Sequence, residues 1–419
     1  MNKELKSRIK HRIIAQYSGL LSQETVDKNA LKERVLLVLN DMSGRENISL
    51  SEEDKRKVIE EVVNDFTGLG PIQNLVSDPL VTEIMINGPK KVYAEKAGKT
   101  ELTNIVFEDD AQIMYMINKI LAPTRRHVDE LVPWTDVSLS DGSRVNIIIP
   151  PLALDGPVVT IRKFLQEIKE IDDLVKLETL DSRMAQFLVA SIKARINMMF
   201  SGATGSGKTT SLNVLSFYIA EDERIVTIED TSELRLRQAH VVRLESKQPN
   251  IEGKGEVTIR ELFKNSLRMR PDRIILGEIR GSEALDMLQA ICSGHKGSLA
   301  VIHGNSPQDV IYRLETMILT SGVPISLEAI HRQIAAAINI IVQQEQVVDG
   351  SRKITHITQV SGLKDNNVTL EDIFVYEIEG LDNHGKVKGR WRATGVVPNF
   401  YHLFEKSGIK LPREIFNKD

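Results

Sequence analysis

A glycine-rich octapeptide, Gly202-Ala-Thr-Gly-Ser-Gly-Lys-Thr209, matches the pattern G-x-x-x-x-G-K-[ST] at every defined position. An apolar run precedes it and a helical run follows. Glycines let such a loop turn its amide N–H groups toward phosphate oxygens, and the next helix N-terminus adds a positive dipole end. The lysine reaches the β- and γ-phosphates, and the following hydroxyl binds Mg²⁺. The residues predicted to bind nucleotide phosphates are Gly202, Ala203, Thr204, Gly205, Ser206, Gly207, Lys208, Thr209 and Thr210.

Acidic residues follow two apolar runs downstream of this loop. Glu229 and Asp230 end one run, with Glu233 close behind, and Glu278 ends the other. A lone acidic strand end is usually a cap for the next helix, but two such ends after one phosphate loop favour function. The residues predicted to take part in catalysis are Glu278, Glu233, Glu229 and Lys208. The predicted Mg²⁺ ligands are Thr209 and Glu278, the latter directly or through water.

Two histidines, His295 and His303, bracket a third strand-like run. Two histidines without a third ligand do not predict a metal site. The single cysteine, Cys292, excludes an internal disulfide and a multi-cysteine zinc site, which favours a reducing compartment. Because Cys292 ends an apolar helical run, we expect it to pack against a core.

Short apolar runs must position these residues. They alternate with helical patterns, which predicts buried parallel strands in βα units. The runs are 197–200, 225–228, 273–276 and 299–302. Beyond residue 350 the chain has strand-like pieces and a short helix around 401–406.

The first 168 residues have a different pattern. Apolar residues at helical spacing predict helices over 1–62, and Ser51 three residues before Asp54 predicts a helix start. Strand-like runs and one helical run then predict a mixed α+β domain. The runs are 81–86, 92–95 and 145–149 for strands and 111–121 for the helix. The polar segment 167–181 is predicted to be a linker or hinge.

The charge and hydropathy of the chain argue against some classes of function. A formal net charge of −4 argues against bulk binding of DNA or RNA. The sequence has no apolar run near the ~20 residues that span a bilayer, and its charged start does not resemble a signal peptide. Any membrane role is therefore expected to be peripheral, through a partner.

Four motifs together resemble the secretion and pilus ATPases of type II, type IV and Tad systems. They are GATGSGKTT, TIEDTSELRL, RMRPDRIILGEIRG and SGHKGSLAVIHGNS, which match that family's Walker A, Asp box, atypical Walker B and His box. The segments GLGPIQNLVSDPLVTEIMINGP, DGSRVNIIIPPLA, VVTIRKF, RLETMIL and TGVVPNF are similar to the CpaF branch of Tad pilus ATPases. The resemblance covers residues 63–400.

The resemblance implies an α/β fold with a RecA-like P-loop domain, a mixed α+β domain before it and a helical region before that. The expected segments are 1–62, 63–168, 169–350 and a carboxy-terminal extension, 351–419, packed on the ATPase domain. It also implies ATP and Mg²⁺ as cofactors, with ATP between the two domains. His295 and His303 would contact the γ-phosphate region, and Arg144 and Arg162 would approach the nucleotide. Arg235 and Arg243 are weaker candidates. No zinc is expected.

The implied assembly is a homohexameric ring in the cytoplasm, at the inner membrane, acting on a membrane platform protein to assemble or retract a pilus. Two alternatives stay open from the residues: a RecA-like motor that moves nucleic acid, and a scaffold gated by nucleotide with little hydrolysis. DNA-stimulated turnover would favour the first alternative, and very slow turnover the second.

Overall fold

The computed structural model describes residues 3–21, 27–46, 51–96, 98–124, 126–139, 141–163, 168, 170–247, 249 and 254–419. The chain divides into two compact units, an amino-terminal unit, Met1–Phe164, and a carboxy-terminal unit, Leu165–Asp419.

Three helices begin the amino-terminal unit: α1 (Lys3–Leu21), α2 (Lys28–Glu46) and α3 (Glu52–Thr67). Their apolar faces form one core that includes Ile13, Leu39 and Val62. The predicted helix start at Ser51 is confirmed, because its hydroxyl accepts the Asp54 N–H at 3.1 Å. The predicted helical character of residues 1–62 therefore holds over the part of that segment that is described.

An antiparallel six-stranded sheet follows, with strand order β3-β2-β1-β6-β5-β4. Its strands are β1 (Val81–Asn87), β2 (Val92–Lys96), β3 (Lys99–Leu102), β4 (Trp134–Ser138), β5 (Arg144–Ile148) and β6 (Val158–Arg162). The unit also contains helices α4 (Gln73–Ser77) and α5 (Asp110–Leu121). Alternate strand residues such as Ile84, Ile86 and Val159 pack against Ile113 and Ile117 of α5 in a single core. Strands β1, β2 and β5 match runs predicted from the sequence, whereas β3, β4 and β6 were not predicted. Strand β3 is exposed at all four positions, so it lacks the period-two burial that marks a strand in a sequence.

The carboxy-terminal unit is built on a nine-stranded sheet of order β15-β14-β13-β12-β7-β11-β10-β8-β9. Its strands are β7 (Met198–Gly202), β8 (Ile225–Glu229), β9 (Val241–Glu245), β10 (Arg273–Ile279), β11 (Leu299–His303), β12 (Ile340–Gln346), β13 (Arg352–Lys364), β14 (Asn367–Leu381) and β15 (Val387–Ala393). Strands β12, β7, β11, β10, β8 and β9 are parallel, and β13 to β15 continue the sheet antiparallel. Strand β11 thus separates the phosphate-loop strand from the strand that carries Glu278.

Helices cover this sheet. They are α6 (Ile171–Lys176), α7 (Ser182–Lys193), α8 (Lys208–Ser216), α9 (Ile259–Ser266), α10 (Glu283–Cys292), α11 (Pro307–Leu319), α12 (Leu327–Ala337) and α13 (His402–Lys406). Two apolar cores result: one joins α6, α7 and α8 to the chain end, and the other joins α9 to α12. Because both sheet faces are covered, the central parallel strands β7, β8 and β11 are buried and mostly apolar, which matches the predicted βα architecture.

Two expectations need correction. The predicted linker contains α6, and its apolar residues Ile171, Leu174 and Leu180 lie in the core. Charged neighbours hid this helical spacing; residues 167 and 169 lie outside the described residues. Cys292 does not pack as expected but is exposed, because it is the last residue of α10 and follows the buried Ile291.

A buried arginine holds together the edge of the sheet where the parallel strands begin. Arg273 is the first residue of β10 and is fully buried. Its guanidinium donates to Glu223 at 2.7 Å and to the carbonyl of Ile192, in the last turn of α7, at 2.6 Å. A buried charge is tolerated only with such pairing. The contacts fix the start of β10 relative to α7 and to the loop that precedes β8.

Candidate active site

The phosphate loop runs from the end of β7 into the first turn of α8. Gly202 and Gly207 have φ of 153° and 95°. A Cβ on Gly202 would lie 2.0 Å from the Gln344 carbonyl oxygen of β12, and one on Gly207 would lie 2.8 Å from Gln344 Nε2. Glycine is therefore required at Gly202 by the backbone of the neighbouring strand as well as by its own conformation, and at Gly207 mainly by backbone conformation.

Lys208 begins α8 and is buried. Its Nζ lies 2.8 Å from the Ala203 carbonyl oxygen and 3.5 Å from His303 Nδ1. The Ser206 hydroxyl is also buried and has no hydrogen-bond partner within the described part of the chain. An ammonium, a hydroxyl donor and a helix N-terminus together fit a bound phosphate.

Glu278 lies within hydrogen-bonding reach of two basic side chains. Its Oε1 is 3.1 Å from His303 Nε2 of β11, and its Oε2 accepts a hydrogen bond from Arg280 Nη2 at 2.7 Å. The β10–β11 register shifts between Leu276 and Ile279, so a bulge surrounds Glu278. Bulges re-aim side chains at strand ends, which explains how this carboxylate reaches the neighbouring strand. Lys208 of α8, His303 of β11 and Glu278 of β10 thus form a continuous chain of contacts.

His303 is best described as a neutral imidazole. Partial burial and the nearby Lys208 ammonium lower the pKa of His303, and the Glu278 carboxylate offsets this only in part. The contacts fit one tautomer, in which Nε2–H donates to Glu278 and Nδ1 accepts from Lys208. The ring therefore connects the phosphate-binding lysine with the strand-end carboxylate.

The Asp-box residues form a second acidic group on the far side of Glu278. Glu229 ends β8 and is buried, and its Oε2 accepts the N–H groups of Glu233 and Leu234 at 2.8 and 3.0 Å. Burial raises the pKa of Glu229, although these two N–H groups oppose the shift. Its carboxylate thus holds the loop after β8. Asp230 lies 3.5 Å from Arg280, so it is linked to Glu278 through that arginine.

The family model for type II/IV secretion system proteins matches residues 65–401. The chain belongs to this family. VirB11 of Agrobacterium fabrum is 33% identical over 304 residues, which cover 65% of this chain and 87% of VirB11. The conjugal transfer protein TrbB of Rhizobium radiobacter is 29% identical over 300 residues, covering 71% and 88%. The crystal structure of the VirB11 ATPase from Brucella suis matches with a TM-score of 0.38 and 26% identity, over 68% of this chain and 94% of that one.

This secretion-family chain is an ATPase of the class that serves secretion and pilus machines. Its phosphate loop lies in the α/β carboxy-terminal unit, which the amino-terminal unit precedes in the chain. Nucleotide use follows from that membership and agrees with the loop around Lys208. No helix among the described residues combines the length and apolar character needed to cross a membrane.

The residues around the loop fit Mg²⁺ in the way P-loop sites use it. Thr209 follows Lys208 in the first turn of α8, and Glu278 supplies a carboxylate. The described residues contain no group of three or more His, Cys, Asp or Glu side chains that could hold a metal. Mg²⁺ in such sites takes most ligands from phosphates and water, so one hydroxyl and one carboxylate suffice. Bound there, the ion would neutralise phosphate charge.

The structure does not bring His295 to the phosphate loop. It follows α10 and precedes β11, where its Nδ1 lies 3.1 Å from the Ala290 carbonyl oxygen. His303, in contrast, pairs with Gly202 at the other end of β11. The length of a five-residue strand, about 17 Å, separates the two histidines. Within one chain, His295 therefore does not make the predicted contact with the γ-phosphate region.

The two predicted nucleotide-contacting arginines belong to the amino-terminal unit. Arg144 and Arg162 are directly opposite each other on β5 and β6. Glu83 of β1 is paired in register with Arg162 on the other side of β6. Of the weaker candidates, Arg235 donates its backbone N–H to Asn213 of α8 at 2.8 Å, and the Arg243 side chain donates to Ser232.

Sequence reasoning missed three features of the site. Arg280 is two positions after Glu278, which could have signalled a shared strand-end cluster. Arg352 donates from Nε to the Gly205 carbonyl at 2.9 Å, across 147 positions, and no local pattern marks it. An open cleft of about 430 Å³ also adjoins the loop. It is lined by Ala203, Thr204, His303, Gly304, Asn305, Asp309, Tyr312, Arg313 and Thr316.

Proposed function

We propose that this ATPase powers assembly or retraction of a Tad-type pilus or a related secretion machine. In this proposal it works as a homohexameric ring at the cytoplasmic face of the inner membrane and acts on a membrane platform protein. The observation that carries the catalytic part is the chain of contacts from Lys208 through His303 to Glu278. Family membership and the similarity to CpaF-type motifs support the machine.

Glu278 is the residue we assign to orienting the attacking water. A carboxylate has about four lone-pair sites, so two contacts leave capacity for a water molecule. Arg280 and His303 hold its two oxygens, which fixes the carboxylate in one orientation. Lys208 and the loop N–H groups would bind the β- and γ-phosphates, and Thr209 would hold Mg²⁺. A preorganised arrangement of this kind stabilises developing charge without reorganisation during the reaction.

The other acidic and basic candidates have supporting roles in the proposal. Glu229 and Glu233 form the loop beside Glu278, and Arg144 and Arg162 remain proposed nucleotide contacts. Hydrolysis would remove contacts to the γ-phosphate, and each subunit would then open. Repeated around a closed ring, this opening would produce movement.

The test is ATP turnover by the purified full chain, comparing wild type with Glu278→Gln. We expect kcat to fall by about 10²- to 10³-fold while MgADP affinity changes little, because the amide keeps the shape but not the charge. Glu328→Gln is the matched control, since Glu328 lies on α12 and forms an exposed ion pair with Arg332. Unchanged turnover in Glu278→Gln would move the catalytic role to the Glu229–Glu233 loop.

The ring is tested by light scattering of the same samples with and without a non-hydrolysable ATP analogue. A hexamer-sized species is expected with the analogue. A monomer under every condition would contradict the ring motor. Turnover stimulated by DNA, lost at high salt, would instead favour the nucleic-acid motor.

A further inference from the structure

The phosphate loop is packed against the strand pair β12–β13. Gln346 of β12 and Arg352 of β13 are paired in register beside it. The turn between them is fixed from the other side, because Asp349 accepts the N–H of Val387, the first residue of β15, at 2.7 Å. The backbone of Arg352 is therefore held by the sheet.

The Arg352 side chain lies along the outside of the loop. Its Nε donates to the Gly205 carbonyl at 2.9 Å. Its Cδ is 3.2 Å from the position that a Cβ on Gly207 would take. Gly205 and Gly207 both have positive φ, 80° and 95°. The arginine thus contacts the loop at two glycines whose positive φ angles other residue types rarely adopt.

Holding the Gly205 carbonyl fixes the peptide unit that joins Gly205 to Ser206. A trans peptide is planar, and its C=O and N–H point in opposite directions. A carbonyl drawn outward by Arg352 therefore turns the Ser206 N–H away from the arginine. In P-loops the backbone N–H groups bind phosphate oxygens. Within the described part of the chain, the Ser206 N–H makes one long contact of 3.3 Å, to the Ala203 carbonyl.

We propose that Arg352 is a positioning residue for nucleotide binding, which orients the Gly205–Ser206 peptide by hydrogen bonding its carbonyl from the carboxy-terminal strand pair. Arg352 lies in a segment that none of the four sequence motifs of the ATPase site includes. The proposed role requires only the nucleotide binding common to this family, so it holds whichever machine the ATPase serves.

Two nearly isosteric variants separate hydrogen bonding from packing. In Arg352→Gln the amide nitrogen takes the place of Nε and can still donate. In Arg352→Met a methyl group takes that place. A hydrogen bond from a charged donor contributes enough that we expect the Kd for MgADP to rise about tenfold in the methionine variant. The glutamine variant should stay within about threefold of wild type.

Steady-state kinetics give a readout that a purely structural role would not produce. The KM for ATP should rise with Kd while kcat stays within about twofold, because ground state and transition state lose the same phosphate contact. Arg390→Met is the matched control, since Arg390 is an exposed residue of β15 whose partners are Glu377 and Glu379. Its Kd, KM and thermal midpoint should match wild type.

Equal Kd values for the glutamine and methionine variants would overturn the proposal. So would a methionine variant that binds MgADP like wild type. If the methionine variant does not fold, the glutamine variant decides: affinity within about threefold supports the hydrogen bond, and a tenfold loss overturns it.

Discussion

Glu229 and Glu278 end neighbouring strands of one sheet, yet their carboxylates have different surroundings. Glu278 is partly exposed and contacts His303 and Arg280. Glu229 is buried, with one oxygen on the backbone of the following loop and the other without a partner among the described residues. The sequence places both at strand ends but does not say which one faces the phosphate loop.

The pH dependence of stability should reveal the burial of Glu229. Its folded pKa is raised above the ordinary 4.5, so the folded chain holds this proton more tightly than the unfolded chain. Stability contributed by the protonated form is therefore lost as pH rises from about 4.5 through the raised pKa. Relative to Glu229→Gln, wild type should lose free energy of unfolding across that window.

Urea unfolding of both chains at several pH values between 4.5 and 8 measures this difference. A difference that stays constant, or that grows in favour of wild type as pH rises, would show that the folded pKa of Glu229 is not raised.

The residues of the phosphate loop, Glu278 and His303 could all be predicted because each lies within a contiguous strand-and-loop motif. His295 belongs to the same motif as His303, but a strand between them carries it to the other edge of the sheet. Arg352 could not be predicted, since its contact with Gly205 depends on the register of β12 with β13.

Among the secondary-structure elements, β10 depends on a single buried cation. Arg273→Ala would remove the bidentate partner of Glu223 and the donor to the Ile192 carbonyl. Arg195, 3.2 Å from Glu223, compensates in part. We expect a loss of about 3 kcal/mol in the free energy of unfolding, because a buried carboxylate would lose its main partner.

Urea unfolding checks this value, with Arg332→Ala as the control. Arg332 is exposed and pairs with Glu328 within α12, so its loss should cost less than about 0.5 kcal/mol. Similar costs for the two variants would mean that the Arg273 pair contributes no more than a surface pair.

Helix α6 shows why element boundaries were harder to predict than strands. Its six residues include as many charged as apolar side chains, three of each, and the composition resembles a linker. The central buried strands of the parallel sheet are mostly apolar, so their location could be predicted from the sequence.

In the carboxy-terminal unit as a whole, one sheet continues past the parallel strands that carry the phosphate loop and Glu278. Strands β13 to β15 extend it, so residues 351–419 are part of the unit rather than an addition to its surface. Phe187 of α7 packs on Phe374, Phe404 and Phe416, with ring centroids 5.9, 6.1 and 5.5 Å away. The sequence showed strand-like pieces here but not which strand they join.

A chain ending at Gly350 should therefore fail to unfold cooperatively, because it loses three strands and the aromatic half of one core. Circular dichroism during urea titration, with MgADP binding alongside, is the measurement. Cooperative unfolding at the wild-type midpoint, with MgADP still bound, would contradict the continuous sheet as a folding requirement.

Cys292, the sole cysteine of the sequence, is exposed at the end of α10, in the turn that leads into the strand of His303. A fluorophore or spin label would attach at one known position without any engineered change. Partial burial raises the pKa of the Cys292 thiol, so maleimide coupling should be slow at neutral pH and faster in mild alkali. The natural chain thus carries its own attachment point for spectroscopy of the ATPase cycle.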